Sequence, residues 1–222
     1  MSKKLPVIAI IPARGNSKRL KNKNIKNFMG KPLIYWTIKQ SLAVKLIDRV
    51  IVSTEDIKIA KIAKSCGAEV PFMRPTKLSG DHISATDVIR NTIKKLKFNG
   101  IVVLLQPTSP LRVKKDIIKG ISMINDNVQS AMSVYKFPHP SEITTLNEIG
   151  KKFSPISKTK ELNIANGAVY VATSNWLLKN HTFYCEDVYT YEMSVENSID
   201  IDDAYQFKIA EAMFKLRKIN KY

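Results

Sequence analysis

Three short apolar runs, opening the segments 5–11 (LPVIAII), 49–54 (RVIVST) and 100–110 (GIVVLLQPTSP), each break into a polar turn, and helical periodicity follows. A continuous apolar stretch of strand length is what a strand covered on both faces requires. Between and after these runs, apolar residues recur at helical intervals. Ile34, Ile38 and Leu42 follow Pro32, whose missing N–H costs nothing at a helix start. Ile57 to Ala63 form a second helical pattern, stopped by Gly67, and Ile89, Ile93 and Leu96 a third. Ile117, Ile118, Ile121 and Ile124 mark a fourth, and strands are expected at 130–137, 167–173 and 188–194. A last helix, from about Asp203 to Leu216, carries Ile209, Met213 and Leu216 on one stripe, with Ala210 and Phe214 beside it. Strand and helix alternate throughout, which predicts an α/β fold: a doubly wound, mostly parallel sheet in a single domain over residues 1–222.

The rhythm lapses after Phe137. Residues 138–163 are punctuated by proline and glycine, with one expected hairpin at 147–150 and no long helix. They read as an inserted arm or a substrate-side excursion.

A net charge of +17 raises the question of a polyanionic partner. The lysines are spread along the chain, however, with little aromatic interleaving to stack bases. Small-anion binding is therefore expected rather than nucleic acid. No apolar run reaches membrane-span length. The N-terminal residues read as a strand and not as a signal peptide. Cys66 and Cys185 lack metal-ligand or disulfide-framework spacing, consistent with a cytoplasmic protein.

In open α/β sheets ligands bind beyond the carboxyl ends of the strands, and four polar segments follow strands here. The first, IPARGNSKRLKNKNIK, repels itself unless an anion sits in it. Gly15 permits close backbone approach and an N–H nest, Arg14 offers a planar fork for phosphate oxygens, and Lys18 and Lys23 are point charges. Neither G-x-x-x-x-G-K-[ST] nor G-x-G-x-x-G is present. The second segment, LLQPTSPLR (104–112), is stiffened by two prolines that fix Gln106, Thr108 and Ser109; Arg112 reads equally as a phosphate ligand or a helix-flanking charge. In the third, MRPTKLSGDHIS (73–84), Arg74 sits on extended chain before Pro75, and Asp81 reads as a helix cap or a ligand contact. In the fourth, NSIDIDD (197–203), Asp200 and Asp202 would share one face of extended chain, as Mg²⁺ held by few protein oxygens requires, while Asp203 would favour the start of the last helix. His82, His139 and His181 lack ligand spacing, although His139 lies in the excursion; Tyr35, Trp36 and Trp176 read as core.

IAIIPARGNSKRLKNKNIKNFMGKPLIYWTI, IVSTED, RPTKLSGD, LLQPTSPLR, NGAVYV and SIDIDD, in this order and spacing, resemble the cytidylyltransferase family that makes CMP-sialic acids and related CMP-nonulosonates. The resemblance spans nearly the whole chain. It implies a nucleotide-diphospho-sugar transferase-like fold with a small dimerisation arm at approximately 138–165. The implied reaction joins CTP and a nine-carbon 2-keto-3-deoxy sugar acid into the CMP-sugar and pyrophosphate, with Mg²⁺, in a homodimer that involves neither membrane nor nucleic acid. It further implies that Arg14, Ser17 and Lys18 hold the triphosphate, joined by Lys23 and Asn24. Arg74 and Asp81 would lie near the nucleotide, Gln106 on the sugar-acid side, and Asp200 and Asp202 on the metal. Ala13, Gly15, Asn16 and Asn166 complete the implied substrate-binding set. Where sialic-acid members commonly carry an arginine, two residues before Asn-Gly-Ala, this chain has Ile164, which leaves room for legionaminate, pseudaminate or another relative. The expected chemistry is in-line attack of the anomeric hydroxyl on the α-phosphorus. The rival readings are an eight-carbon (CMP-Kdo-type) synthetase, a non-catalytic nucleotide- or RNA-binding module, and a glycosyltransferase with an Asp-x-Asp metal site.

Overall fold

The computed structural model describes residues 5–137 and 162–219. The expected hairpin at 147–150, His139, and the arm up to residue 161 lie outside the described residues.

Among the described residues, β1 (Val7–Pro12), β4 (Arg49–Ser53), β5 (Ile101–Leu105), β6 (Ser130–Phe137), β7 (Leu162–Thr173) and β8 (Tyr189–Glu192) form one sheet in the order β4-β1-β5-β7-β6-β8. β1 runs parallel to β4 and β5, and β6 parallel to β8. β7 alone runs antiparallel to both its neighbours. The sheet is thus mostly parallel, as the alternation predicted, with one reversed strand through its middle. β7 begins at Leu162, five residues before the expected start, because 162–165 pair with Val134 to Phe137 across an irregularity in β6. The last residues of the expected arm therefore belong to the sheet.

Both faces are covered. Alternate residues of β1 (Val7, Ala9, Ile11) pack with α1 (Leu33–Leu42), α2 (Ile57–Ser65) and α4 (Lys114–Met123). Ile8 and Ile10 face the opposite layer, where α3 (Ala85–Leu96) and α5 (Ser174–Lys179) lie. The period-two side-chain alternation of a strand is thus satisfied by apolar packing on both sides. The chain runs outward from β1 to β4 and then crosses back to β5. The crevice beyond the carboxyl ends of β1 and β5 is therefore the topological switch point of the sheet.

A third apolar cluster aims the last segment at that crevice. The short hairpin β2 (Asn27–Phe28) and β3 (Lys31–Pro32) carries Phe28, fully buried, which meets Trp36, Phe207 and Phe214 edge to face. Phe207 and Phe214 belong to α6 (Ala204–Ile219). The buried face of α6 is Phe207, Ala210 and the partly buried Met213 and Phe214: Met213 of the predicted stripe and the flanking Ala210 and Phe214 turn inward, while Ile209 is 37% and Leu216 57% exposed. The large edge-to-face aromatic contacts outweigh the aliphatic repeat. Anchoring α6 here places the residues just before it beside the loop that follows β1.

Candidate active site

A cavity of about 480 Å³ opens at the switch point. Of the residues expected from the sequence, Arg14, Ser17, Lys18, Lys23, Asn24, Arg74, Asp81, Gln106 and Asp202 line it. Arg19 and Thr108 line it as well.

The loop after β1 is held from below. The Ala13 N–H donates to the Ser53 carbonyl at 3.0 Å, and the Asn24 amide donates to the Arg14 carbonyl at 2.9 Å. The Gly15 N–H donates to Glu55 Oε1 at 2.6 Å. This last bond corrects the expected nest, because that donor is already committed to a protein carboxylate. Gly15 is required for a different reason: a Cβ there would stand 2.6 Å from Asp56 Oδ2, at the cap of α2. Ala13 is buried and Asn16 exposed, and neither they nor Gly15 line the cavity.

Arg14 Nη1 and Lys18 Nζ both pair with Asp81, at 2.7 and 2.6 Å. Lys18 first, and then Arg14, hold the Asp81 carboxyl below the usual aspartate range. Asp81 caps no helix; Ser84 and Asp87 form the capping box of α3. Arg74 is 5% exposed, and its Nη2 donates to Glu55 Oε2 at 2.5 Å while its Nε has no hydrogen-bond partner among the described residues. Burial opposes ionisation of Glu55, but the Gly15 N–H and the Arg74 guanidinium outweigh it and keep its carboxyl below the usual range.

At the other wall, Lys23 Nζ donates to the Ile201 carbonyl at 2.8 Å and lies 3.4 Å from Asp202 Oδ1. Arg19 Nη1 reaches Asp202 Oδ2 at 3.0 Å. The Ile201 N–H donates to the Thr108 carbonyl, docking the Asp200–Asp202 segment on the loop after β5. Capping does not use Asp202: Asp203 Oδ1 accepts the Gln206 N–H, and Gln206 Oε1 accepts the Asp202 and Asp203 N–H groups.

Asp200 departs from the expectation of two carboxylates facing one space. It lines a second, smaller cavity of about 300 Å³ together with Tyr135, Ile199 and Ile209. Its Oδ2 lies 3.5 Å from where a Gly167 Cβ would sit, beside the Gln106 amide at 3.4 Å. Burial pushes its carboxyl up; the nearby Thr108 hydroxyl, Lys23 and Arg112 oppose this, and Asp202 adds to it. Asp200 Oδ1 is buried with no hydrogen-bond partner among the described residues. Among the described residues no group of three or more His, Cys, Asp or Glu side chains is placed to hold a metal ion. The described residues thus offer an acidic pair rather than a cage.

Two further residues are placed away from the cavity. Asn166 is buried and ties β7 to its surroundings: its Oδ1 accepts from Ser133 Oγ and the Ala168 N–H, and its Nδ2 donates to Ser198 Oγ. Arg112 is neither phosphate ligand nor flanking charge. It is 1% exposed, and its guanidinium donates to the carbonyls of Ala168 (2.6 Å) and Gln106 (3.4 Å) and to Thr37 Oγ1 (2.9 Å). Sequence reasoning assigned no role to Glu55 or Arg19. Glu55 carried a signal, since it stands directly beyond the carboxyl end of β4, where ligands of open α/β sheets gather.

The architecture matches solved nucleotidyltransferases. A CMP-2-keto-3-deoxy-manno-octonic acid synthetase complexed with CTP aligns with a TM-score of 0.74 over 96% of this chain and 99% of that one, at 19% identity, a likeness of fold. In sequence, the CMP-N,N'-diacetyllegionaminic acid synthase of Legionella pneumophila is 33% identical over 96% of this chain and 97% of its own length. The N-acylneuraminate cytidylyltransferase of Escherichia coli O18:K1:H7 is 32% identical over 92% of this chain and 51% of its own length, so this chain spans about half of that relative. The cytidylyltransferase family model matches residues 8–219, and the chain belongs to that family.

Proposed function

We propose that this chain transfers a cytidylyl group from CTP to a nonulosonic acid, giving the CMP-sugar and pyrophosphate. The observation that carries the reading is the single cavity in which Arg14, Lys18 and Lys23 stand with Asp202 at the switch point of the sheet. The names of the relatives support the nine-carbon acid as acceptor. Ile164 replaces a cation with an apolar side chain near the start of β7, which favours a legionaminate- or pseudaminate-like acid over N-acetylneuraminate.

In this mechanism the anomeric oxygen of the sugar acid attacks the α-phosphorus of CTP. The bond from that phosphorus to the bridging oxygen breaks in line, the proton of the attacking hydroxyl passes to solvent, and pyrophosphate leaves. Arg14 and Lys18 hold the β- and γ-phosphates, exchanging Asp81 for phosphate oxygens. Lys23, anchored on the Ile201 carbonyl, offsets charge that builds as pyrophosphate departs. Gln106 orients the acceptor from the β5 side. Asp202 and Asp200 fit Mg²⁺: both are hard oxygen donors, Asp202 lies close enough to push the Asp200 carboxyl up, and Asp200 Oδ1 lacks a hydrogen-bond partner among the described residues. Mg²⁺ bound there would neutralise phosphate charge. We further propose a homodimer, on the resemblance, and a cytoplasmic location, which the two free cysteines fit. No helix among the described residues is long and apolar enough to cross a membrane.

The test is pyrophosphate release from CTP and Mg²⁺ with N-acetylneuraminate, diacetyllegionaminate, pseudaminate and the eight-carbon octulosonic acid. Release with a nine-carbon acid is expected. Release with the octulosonic acid alone, or with none, overturns the reading.

A further inference from the structure

We propose that Glu55 is a positioning residue for nucleotide binding, one carboxylate that ties the Arg74 guanidinium, at the wall of the cavity, to the Gly15 backbone of the loop that carries Arg14 and Lys18. The proposal rests on the reading of the cavity as a CTP site and deepens it.

Glu55 joins three loops that are far apart in sequence. Oε1 accepts the Gly15 N–H of the loop after β1, and Oε2 accepts Arg74 Nη2 of the loop at 73–84. Glu55 itself follows β4, and the Arg74 N–H donates to the neighbouring Thr54 carbonyl, so the pair is fixed at backbone and side chain alike. The side chains are 4% exposed for Arg74 and 19% for Glu55. A pair so shielded restricts the guanidinium far more than a surface pair would. Arg74 nevertheless lines the cavity, and its buried Nε is without a partner among the described residues. A nearly buried arginine with a spare donor, held by a carboxylate at one corner and facing a basic cavity, is arranged to receive an anion. The Gly15 bond has the complementary effect of drawing the Arg14–Lys18 loop toward β4, with no space for a side chain against Asp56.

The chemistry of Glu55 is specific. A glutamine keeps an acceptor for the Gly15 N–H but turns an uncharged amide toward the guanidinium. An aspartate keeps the charge but is one methylene too short to span both partners. Glu55 therefore acts through Arg74 and Gly15, without contact to the substrate.

The experiment is a double-mutant cycle on the full chain: wild type, Glu55→Gln, Arg74→Lys and the pair. CTP affinity is measured by calorimetry with Mg²⁺, KM for CTP and for the sugar acid are measured separately, and Glu55→Asp serves as the conservative variant. Glu55→Gln is expected to raise Kd and KM for CTP about tenfold while KM for the sugar acid stays within twofold. Arg74→Lys should do the same, the double variant should be no worse than the worse single, and Glu55→Asp should fall between. The proposal is overturned if Glu55→Gln binds CTP like wild type, if both KM values rise together as thermal stability falls, or if the two effects multiply. A wild-type protein that binds CTP but turns over no sugar acid would defeat the functional reading alone, and the binding cycle would still decide the role of Glu55.

Discussion

Replacing Arg112 with methionine tests whether a buried cation, with no ion-pair partner among the described residues, organises the site or merely fills space. Burial pushes the pKa of Arg112 down from the usual arginine range to about 10, with Tyr191, Asp116 and Asp200 opposing the fall. At 1.36 kcal/mol per unit, keeping the charge inside costs about 3 kcal/mol. Its two short hydrogen bonds, to the Ala168 carbonyl and Thr37 Oγ1, each return roughly 1.5–3 kcal/mol. Together they return roughly 3–6 kcal/mol, which equals or exceeds the cost in the wild type. Methionine removes both, but leaves buried acceptors without a donor, at roughly 1–3 kcal/mol for each that no water reaches. Arg112→Met should then lose about 1–3 kcal/mol, seen in urea unfolding as a lower midpoint with an unchanged slope. Activity measured well below the melting temperature should fall further than stability does, since the Gln106 carbonyl loses a restraint and Asp200 loses a nearby positive charge. A buried charge can also be replaced by an apolar residue at no cost or with a gain. A variant as stable as wild type and fully active would therefore show that Arg112 neither organises the Gln106 loop nor supports Asp200.

Asp202→Asn should lower turnover by roughly 10²–10³ without shifting the melting temperature, and should weaken the dependence of rate on Mg²⁺. Unchanged turnover measured by pyrophosphate release would remove Asp202 from the mechanism. Gly167→Ala should destabilise by about 1–2 kcal/mol, because φ is +71° while the new methyl meets only ordinary contacts at Gln106 and Asp200. An unaltered unfolding curve would show that β7 relaxes there at no cost.

Much of the fold is legible from local pattern because its central strands are covered on both faces. Such strands must be apolar without interruption, and β1, β4 and β5 stand out for that reason. The early start of β7 at Leu162 was hidden, since a stretch reading Leu-Asn-Ile-Ala-Asn-Gly has no strand periodicity and is held by pairing to β6. The buried face of α6 lies to one side of the predicted stripe, at Ala210, Met213 and Phe214 rather than Ile209 and Leu216, because Phe28 and Trp36, on elements far away in sequence, draw Phe207 and Phe214 inward. In the site, loop position and charge type carried Arg14, Lys18, Lys23 and Asp202 to one cavity. Gly15 and Asn166 look like substrate ligands in a motif, but their polar groups are taken by Glu55, Ser133 and Ser198. Those partners are 40, 33 and 32 residues away, beyond the reach of local reasoning. Asp200 shows the limit of the rule that residues i and i+2 share a face. The segment before α6 belongs to no strand, and Asp200 lies buried beside Gly167 while Asp202 lines the larger cavity.

The most direct measurement is diffraction from crystals grown with a non-hydrolysable CTP analogue and Mn²⁺ in place of Mg²⁺. The account predicts an anomalous peak coordinated by the Asp202 carboxylate, with the triphosphate lying on Arg14 and Lys18 and Asp81 released from both. A triphosphate bound elsewhere, or a metal peak away from Asp202 while Arg14 and Lys18 remain paired with Asp81, would contradict it.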